Sequence, residues 1–120
     1  MLRKFLLAKI HKATVTGAKL MYMGSIEIDV DLLKASGLKN GEYVEIYNIT
    51  NGERFSTYII EGKAGSGSIV LNGAAARKVQ KGDQIIITGY AYLNDSEIEK
   101  HKYTVVFVDD KNKIIDIKKG

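Results

Sequence analysis

The side chains best suited to chemistry in this 120-residue chain lie in three short segments. The segments are Tyr22-Met23-Gly24-Ser25, Arg54-Phe55-Ser56-Thr57-Tyr58 and Asn72-Gly73-Ala74-Ala75-Ala76. The chain has no Cys, only two His and no evident metal or nucleotide motif, so we expect no metal site and no thiolate chemistry. An enzyme made of these residues must therefore obtain its electrophile in another way.

The peptide bond between Gly24 and Ser25 can supply an electrophile by cleaving itself. The Ser25 hydroxyl attacks the Gly24 carbonyl carbon, and the cyclic oxyanion collapses to an ester. β-Elimination then frees the Gly24 carboxylate and leaves dehydroalanine at position 25, whose imine tautomer loses ammonia on hydrolysis to give a pyruvoyl group. Such a ketone can form a Schiff base with an amino acid and accept the electrons left by decarboxylation. An isolated Gly-Ser pair, however, is usually an ordinary turn between strands.

The second segment carries three side chains that suit a reaction at this electrophile. The planar guanidinium of Arg54 can bind a carboxylate in bidentate fashion. The Thr57 hydroxyl can stabilise an oxyanion, and the Tyr58 hydroxyl can act as a general acid. Each also has a structural explanation, as a surface arginine, a β-branched strand residue and a packed aromatic. Since neighbours on a regular strand face opposite sides, Thr57 and Tyr58 can serve one site only across a bend or between subunits.

The third segment places small residues at the start of a predicted short helix. Free backbone N–H groups at such a position suit an anion such as a carboxylate. From these residues alone, a capped helix with alanines chosen for tight packing is the favoured explanation of the segment.

Taken together, the three segments closely resemble the pyruvoyl-dependent aspartate 1-decarboxylases. The similarity extends over nearly the whole chain and includes Lys9-Ile10-His11, residues 48–52 and residues 82–87. Each motif is common alone, but their order and spacing in a short chain make the combination specific. The resemblance implies decarboxylation of L-aspartate to β-alanine and carbon dioxide, a step toward pantothenate and coenzyme A, through a pyruvoyl group derived from Ser25.

The resemblance also assigns roles to individual residues. Ser25 carries the pyruvoyl group and Tyr58 donates the proton. Self-cleavage involves Gly24, Ser25, Thr57 and Asn72. Substrate contacts come from two cations, one hydroxyl and three consecutive backbone units, which are Lys9, Arg54, Thr57, Gly73, Ala74 and Ala75.

Some positions depart from the family pattern. Tyr47 stands where many relatives carry Trp, Arg77 where others have His, and Met23 replaces an acidic residue before Gly24. These changes bear on substrate fit or cleavage rate and leave the expected catalytic residues intact. Tyr22 and His11 are lesser candidates, because Tyr22 flanks the cleavage site and His11 alternates with Lys9 on one strand.

The elements that must position these residues are mainly strands. Extended patterns cover residues 5–15, 43–49, 54–60, 68–71, 84–92, 103–108 and 113–117. Asn51-Gly52 predicts a hairpin, and Asp29 and Gly37 bound a short helix. Further helical turns are predicted at 74–79 and 95–100, and the Gly/Ser-rich stretch 62–68 is predicted to be a mobile surface loop.

Many short strands with few helices predict a small closed barrel in a single domain, residues 1–120. The resemblance implies a six-stranded double-psi β-barrel that cleaves into a 1–24 β-chain and a 25–120 α-chain. It also implies a homotetramer with active sites between neighbouring subunits. Cleavage is either spontaneous or dependent on a maturation helper.

The charge of +4 and pI of about 9.2 leave two other function classes open. A small nucleic-acid-binding barrel fits the basic charge and seven Tyr, but the aromatics do not cluster with Lys or Arg. An uncleaved barrel with a binding or structural role is the other. The short apolar runs and the lack of a signal peptide predict a cytoplasmic protein with L-aspartate as its partner, and with neither nucleic acid nor membrane.

Overall fold

The computed structural model describes all residues from 1 to 120 and contains nine strands, two α-helices and one 3₁₀ helix. The strands are β1 (Arg3–Thr14), β2 (Gly17–Lys19), β3 (Ser25–Asp29), β4 (Tyr43–Asn48), β5 (Arg54–Gly62), β6 (Ile69–Asn72), β7 (Gln84–Leu93), β8 (Thr104–Val108) and β9 (Ile114–Lys119). The helices are α1 (Val30–Ser36), the 3₁₀ helix (Gly73–Lys78) and α2 (Asp95–Ile98). No helix has the length and apolar character needed to cross a membrane.

The sheet closes on itself through its first extended segment. The strand order is β2-β6-β3-β5-β4-β7-β1-β8-β9, and β1 and β2 are consecutive parts of residues 3–19. Between them, the Thr16 N–H donates to the Ile69 carbonyl of β6 at 2.8 Å. One chain segment therefore lies at both ends of the row from β2 to β1, which confirms the predicted small closed six-stranded barrel. The β8–β9 hairpin lies outside this ring, with β8 parallel to β1.

The barrel interior is filled by branched apolar side chains that alternate along each strand. In β3, Ile26 and Ile28 point inward, and in β7, Ile85 and Ile87 do the same. Because alternate residues of a strand face opposite sides, the residues between them lie on the outer surface. The inward-facing residues set the orientation of each strand, and they thereby determine which functional side chains lie on the outer surface of the barrel.

The helix ends follow the capping residues. The Asp29 carboxylate accepts from the Asp31 N–H at 2.8 Å, and Gly37 ends α1 in the left-handed region at φ +82°. Both features confirm the predicted helix. The turn at 95–100 is the single turn α2, which starts with an Asn94–Glu97 capping box.

Two strands and one loop differ from the sequence interpretation. Neither β2 nor β3 was predicted, because three residues carry no pattern in β2 and the alternation in β3 is short. The stretch 62–68, predicted as a mobile loop, is tied to the barrel: the buried Asp29 carboxylate accepts from the Gly67 N–H at 2.8 Å and from the Gly65 N–H at 3.2 Å. The predicted hairpin at 51–52 is confirmed, and a second hairpin joins β8 to β9.

Candidate active site

Ser25 and Asn72 are paired across adjacent strands. They face each other in the β3–β6 register, one step beyond the inward pair Ile26 and Leu71. Alternation therefore directs both side chains away from the core, yet both are only 2% exposed. The Asn72 Nδ2 donates to Ser25 Oγ at 3.0 Å, while Asn72 Oδ1 is buried without a partner. The hydroxyl of Ser25 is thus held in a fixed place at the first residue of β3.

At Gly73 the chain packs closely against the backbone of Gly24. Its φ is +68°, and a Cβ at this position would lie 2.8 Å from the N and Cα atoms of Gly24. Only glycine meets both conditions without strain. The φ angle of Gly24 lies outside the left-handed region, and a Cβ there would contact nothing within 4 Å. The structure therefore requires glycine at position 73, and it does not require it at position 24.

The Gly24-Ser25 peptide bond lies at a boundary between solvent and protein. Residues 20–24 form an exposed bend, with the Met23 side chain 78% exposed, whereas Ser25 begins a buried strand. The glycine side of the bond is consequently exposed to solvent, whereas the serine side is fixed in a buried strand.

The 3₁₀ helix after Asn72 is not capped by that residue's side chain. The Asn72 amide is used for Ser25 instead, so the capped-helix explanation is wrong for this segment. Gly73 is buried, Ala75 is half-buried and Ala74 is exposed. The 3₁₀ helix contacts β2, β3, β5 and β6, so it packs beside the strands that carry Ser25, Tyr58 and Asn72.

Strand β5 is regular through the functional residues. The β4–β5 register runs from Tyr43–Tyr58 to Tyr47–Arg54 without a shift. Arg54 and Tyr58 consequently lie on the outer face, while Thr57, opposite the buried Val44, lies on the inner face. No bend brings Thr57 and Tyr58 to the same side of one chain.

Tyr58 lies near Ser25, whereas Arg54 does not. The parallel β3–β5 register pairs Ile26 with Ile59, and its continuation by one residue sets Ser25 beside Tyr58. Arg54 lies four residues earlier on the same face, about 13 Å away along the strand. The Arg54 guanidinium stacks on Tyr47 of β4, which lies on the side of β5 opposite β3, so Arg54 does not point toward Ser25 of its own chain.

Lys9 and His11 project from β1. Lys9 is half-buried and pairs with Thr88 of β7, which in turn pairs with Glu45 of β4. This row places Lys9 on the same outer face as Arg54. His11 packs edge-on against Phe107 with ring centroids 5.6 Å apart, and burial, followed by the charge of Lys9, lowers the pKa of its imidazole.

Arg54 lies at the centre of an aromatic and charged cluster. Its guanidinium stacks on the Tyr47 ring, 3.8 Å from the centroid. The Tyr47 hydroxyl contacts Glu45 Oε1 at 2.9 Å and the Tyr90 hydroxyl at 2.7 Å. Burial, followed by the hydrogen bond shared with Tyr90, raises the pKa of Tyr47 to about 12, so its hydroxyl stays neutral. A cleft of about 260 Å³ opens here, lined by Tyr43, Glu45, Tyr47, Arg54, Phe55 and Ser56.

Comparison with known proteins decides the family. Residues 1–115 match the family model described as aspartate decarboxylase. The chain belongs to the aspartate decarboxylase family. Over 111 residues it is 60% identical to the aspartate 1-decarboxylase of Aliarcobacter butzleri, covering 92% of this chain and 87% of that protein. It is also 56% identical over 119 residues to the aspartate 1-decarboxylase of Cupriavidus necator, covering 99% of both chains.

A solved structure confirms the barrel type of this aspartate decarboxylase family member. The rationally designed mkDPBB_sym_86 protein, a double-psi β-barrel (DPBB), is similar with a TM-score of 0.50 at 16% identity. The similarity covers 66% of this chain and 92% of the designed chain. At that identity it bears on the fold alone, and it agrees with the ring of six strands.

The sequence interpretation did not identify the residues that surround Arg54 in this family member. Lys4, Glu45 and Tyr90 lie on three different strands, and nothing in the chain order brings them together. The available signal was the alternation in β4, which places Glu45 on the same face as Tyr47. Only the strand order β5-β4-β7-β1 shows that Tyr90 and Lys4 join this face.

Proposed function

We propose that this protein decarboxylates L-aspartate to β-alanine and carbon dioxide, with a pyruvoyl group formed by self-cleavage between Gly24 and Ser25. Membership of the aspartate decarboxylase family supports the reaction. The observation that carries the maturation step is the buried Ser25 hydroxyl, held 3.0 Å from the Asn72 amide at the residue after an exposed glycine.

In the proposed maturation, Ser25 Oγ forms a bond to the Gly24 carbonyl carbon and the Gly24–Ser25 C–N bond breaks. The resulting ester then loses the Gly24 carboxylate by elimination, with the proton leaving Cα of residue 25. Thr57 is proposed to stabilise the oxyanion, which develops negative charge as the hydroxyl attacks. The products are a 1–24 chain and a 25–120 chain.

The residues around position 25 fit a small carbonyl group. The Asn72 Nδ2 is a donor 3.0 Å from the side-chain oxygen at position 25, which suits a carbonyl oxygen at that place. A pyruvoyl group there supplies a carbonyl that withdraws electrons from a bound amino acid. The protein's own contribution is to bind the substrate carboxylates and to deliver a proton.

The substrate is held by charge. L-Aspartate carries two carboxylates, and Arg54 offers a planar bidentate fork while Lys9 supplies a second cation on the same outer face. The backbone of Gly73, Ala74 and Ala75 is proposed to contact the substrate on the side opposite these two cations. Tyr58, beside Ser25 in the strand register, is proposed to give a proton to the carbon that has lost carbon dioxide.

A site shared between subunits reconciles these distances. Tyr58 lies beside Ser25, but Arg54 is about 13 Å further along the same strand. We therefore propose that a neighbouring copy supplies Arg54 and Lys9 to each Ser25, in the homotetramer that the family resemblance implies. The cytoplasmic location and the involvement of a maturation helper stay predictions.

A direct assay tests the activity. Purified protein is incubated with L-aspartate, and β-alanine is measured by chromatography, with L-glutamate as the comparison substrate. We expect β-alanine from L-aspartate and none from a Ser25→Ala variant prepared in the same way. Equal β-alanine formation by Ser25→Ala would overturn the proposed function.

A further inference from the structure

Arg54 lies beside an acidic residue with which it does not pair. On the β4–β5 face, Glu45 is opposite Ser56, so Arg54 is its diagonal neighbour two positions along the strand. Diagonal neighbours on one sheet face are within reach of long side chains. Glu45 and Arg54 line the same cleft, yet none of the ion pairs in the structure includes Arg54.

Other groups occupy both oxygens of the Glu45 carboxylate. Lys4 Nζ donates to Oε2 at 3.0 Å, and the Tyr47 hydroxyl contacts Oε1 at 2.9 Å. The hydrogen bond from Lys4, followed by that from Tyr47, lowers the pKa of Glu45, which is thus ionised and can only accept. Tyr47 must therefore donate to Glu45, and the Tyr90 hydroxyl must donate to Tyr47.

The position of Lys4 is fixed from two sides. Its ammonium lies 4.8 Å above the Tyr90 ring as well as 3.0 Å from Glu45. The chain Lys4–Glu45–Tyr47 thus ends at the ring that supports the Arg54 guanidinium. Since both oxygens of Glu45 are already paired and no ion pair includes Arg54, the guanidinium stays available in the cleft that it lines.

We infer that Lys4 is a positioning residue for substrate binding: by pairing with Glu45 it keeps that carboxylate from Arg54, and Arg54 remains free for a substrate carboxylate. This inference rests on the proposed function for the identity of the substrate. The Glu45 carboxylate orients the Tyr47 hydroxyl. Lys4 prevents that carboxylate from competing with the substrate for Arg54.

The test compares variants of the full, processed protein. Lys4→Met releases Glu45. Arg3→Met is the matched control: it also removes one positive charge, at the neighbouring residue, but the contact that it breaks is an exposed one, with Asp95 at 3.9 Å. The binding probe is succinate, a dicarboxylate without an amine, measured by titration calorimetry. The kinetic constants for L-aspartate are measured in parallel.

We expect Lys4→Met to weaken succinate binding and to raise KM about two- to fivefold, the range of an exposed ion pair that competes with the ligand, with kcat changed less than about twofold. Lys4→Arg should restore binding, and so should the double variant Lys4→Met/Glu45→Gln. Arg3→Met should bind as the wild type does.

Two results would overturn the inference. One is equal succinate binding by Lys4→Met and Arg3→Met, and the other is a loss of binding in Lys4→Met that Glu45→Gln does not reverse. A wild-type protein that binds succinate but forms no β-alanine would remove the proposed function while the succinate comparison still decides the role of Lys4.

Discussion

The side-chain amide of Asn72 donates a 3.0 Å hydrogen bond to Ser25 Oγ, and its own carbonyl oxygen is buried without a partner. An unpaired buried acceptor is costly in an otherwise satisfied structure. Asn72 occupies the N-cap position of the 3₁₀ helix and makes no capping bond there. Its side chain therefore binds Ser25 instead of capping the helix. This arrangement is expected of a residue that serves the proposed maturation step.

Replacement of Asn72 should slow self-cleavage. Asn72→Ala removes the one polar contact that holds Ser25 Oγ, and the loss of a hydrogen bond of about 1 kcal/mol corresponds to a rate lower by about fivefold to tenfold. Cleavage of freshly purified precursor is followed on denaturing gels. Asn94→Ala, which removes the α2 cap at a distance from the site, is the control and should cleave at the wild-type rate. Equal rates for both variants would contradict the role given to Asn72.

Two glycine variants should behave in opposite ways. Gly73→Ala places a Cβ 2.8 Å from the Gly24 backbone at φ +68°, and it should lower the free energy of unfolding by about 1–3 kcal/mol. Gly24→Ala meets no atom within 4 Å and should change it by less than about 0.5 kcal/mol. Urea unfolding in a Ser25→Ala background, where every chain is uncleaved, measures both. A larger loss for Gly24→Ala would show that the strain lies at position 24.

Tyr58→Phe should separate maturation from catalysis. The hydroxyl is assigned only to proton donation, so the variant should cleave normally but lose about 10²- to 10⁴-fold in kcat. Tyr43→Phe is the matched control, since Tyr43 is directly opposite on β4 and is 56% exposed against 42% for Tyr58. A similar loss in both variants would indicate a general effect on this face.

Mixed oligomers should test whether the site is shared. Ser25→Ala subunits keep Arg54 but lack the electrophile, and Arg54→Ala subunits have the opposite defect. If neighbours supply Arg54, co-expression of the two inactive variants should restore a part of the wild-type activity, because some sites then combine both intact groups. Persistent inactivity in verified mixed oligomers would place Arg54 and Ser25 of each site in one chain.

Much of the site's framework could be predicted from the sequence, and the exceptions have physical causes. Alternation in β4 and the Asn51-Gly52 turn were sufficient to place Arg54 and Tyr58 at the start of a returning strand. Strand β3 was missed although Ile26 and Ile28 alternate, because a strand of only five residues, Ser25–Asp29, gives a weak pattern. The role of Gly73 depends on its contact with Gly24, which is 49 positions away in the chain.

Partners across the sheet could not be predicted at all. The contact between Lys4 and Glu45 depends on β7 lying between β1 and β4, and strand order is not encoded in a local pattern. Similarly, the sequence left open whether a bend joins Thr57 and Tyr58. The unshifted β4–β5 register excludes that bend within residues 54–58, so the side chains of Thr57 and Tyr58 face opposite sides of the sheet.

His11 should give the protein a pH-dependent stability. Burial lowers the pKa of His11 from 6.5 in the folded state, so the unfolded state binds more protons as the pH falls through that value. The free energy of unfolding should therefore decrease as the pH falls from about 7 toward 5, and less steeply in His11→Gln. Urea titrations of both proteins, each in the Ser25→Ala background, measure the difference. Parallel pH curves would contradict the lowered pKa.

A denaturing intact-mass spectrum of purified, warmed protein, with and without cell extract from the source organism, tests the central claim most directly. The account predicts two chains separated after Gly24, the larger being lighter by one ammonia than a chain that begins with an intact serine. A single uncleaved chain under both conditions would contradict it, and so would a 25–120 chain that keeps its serine.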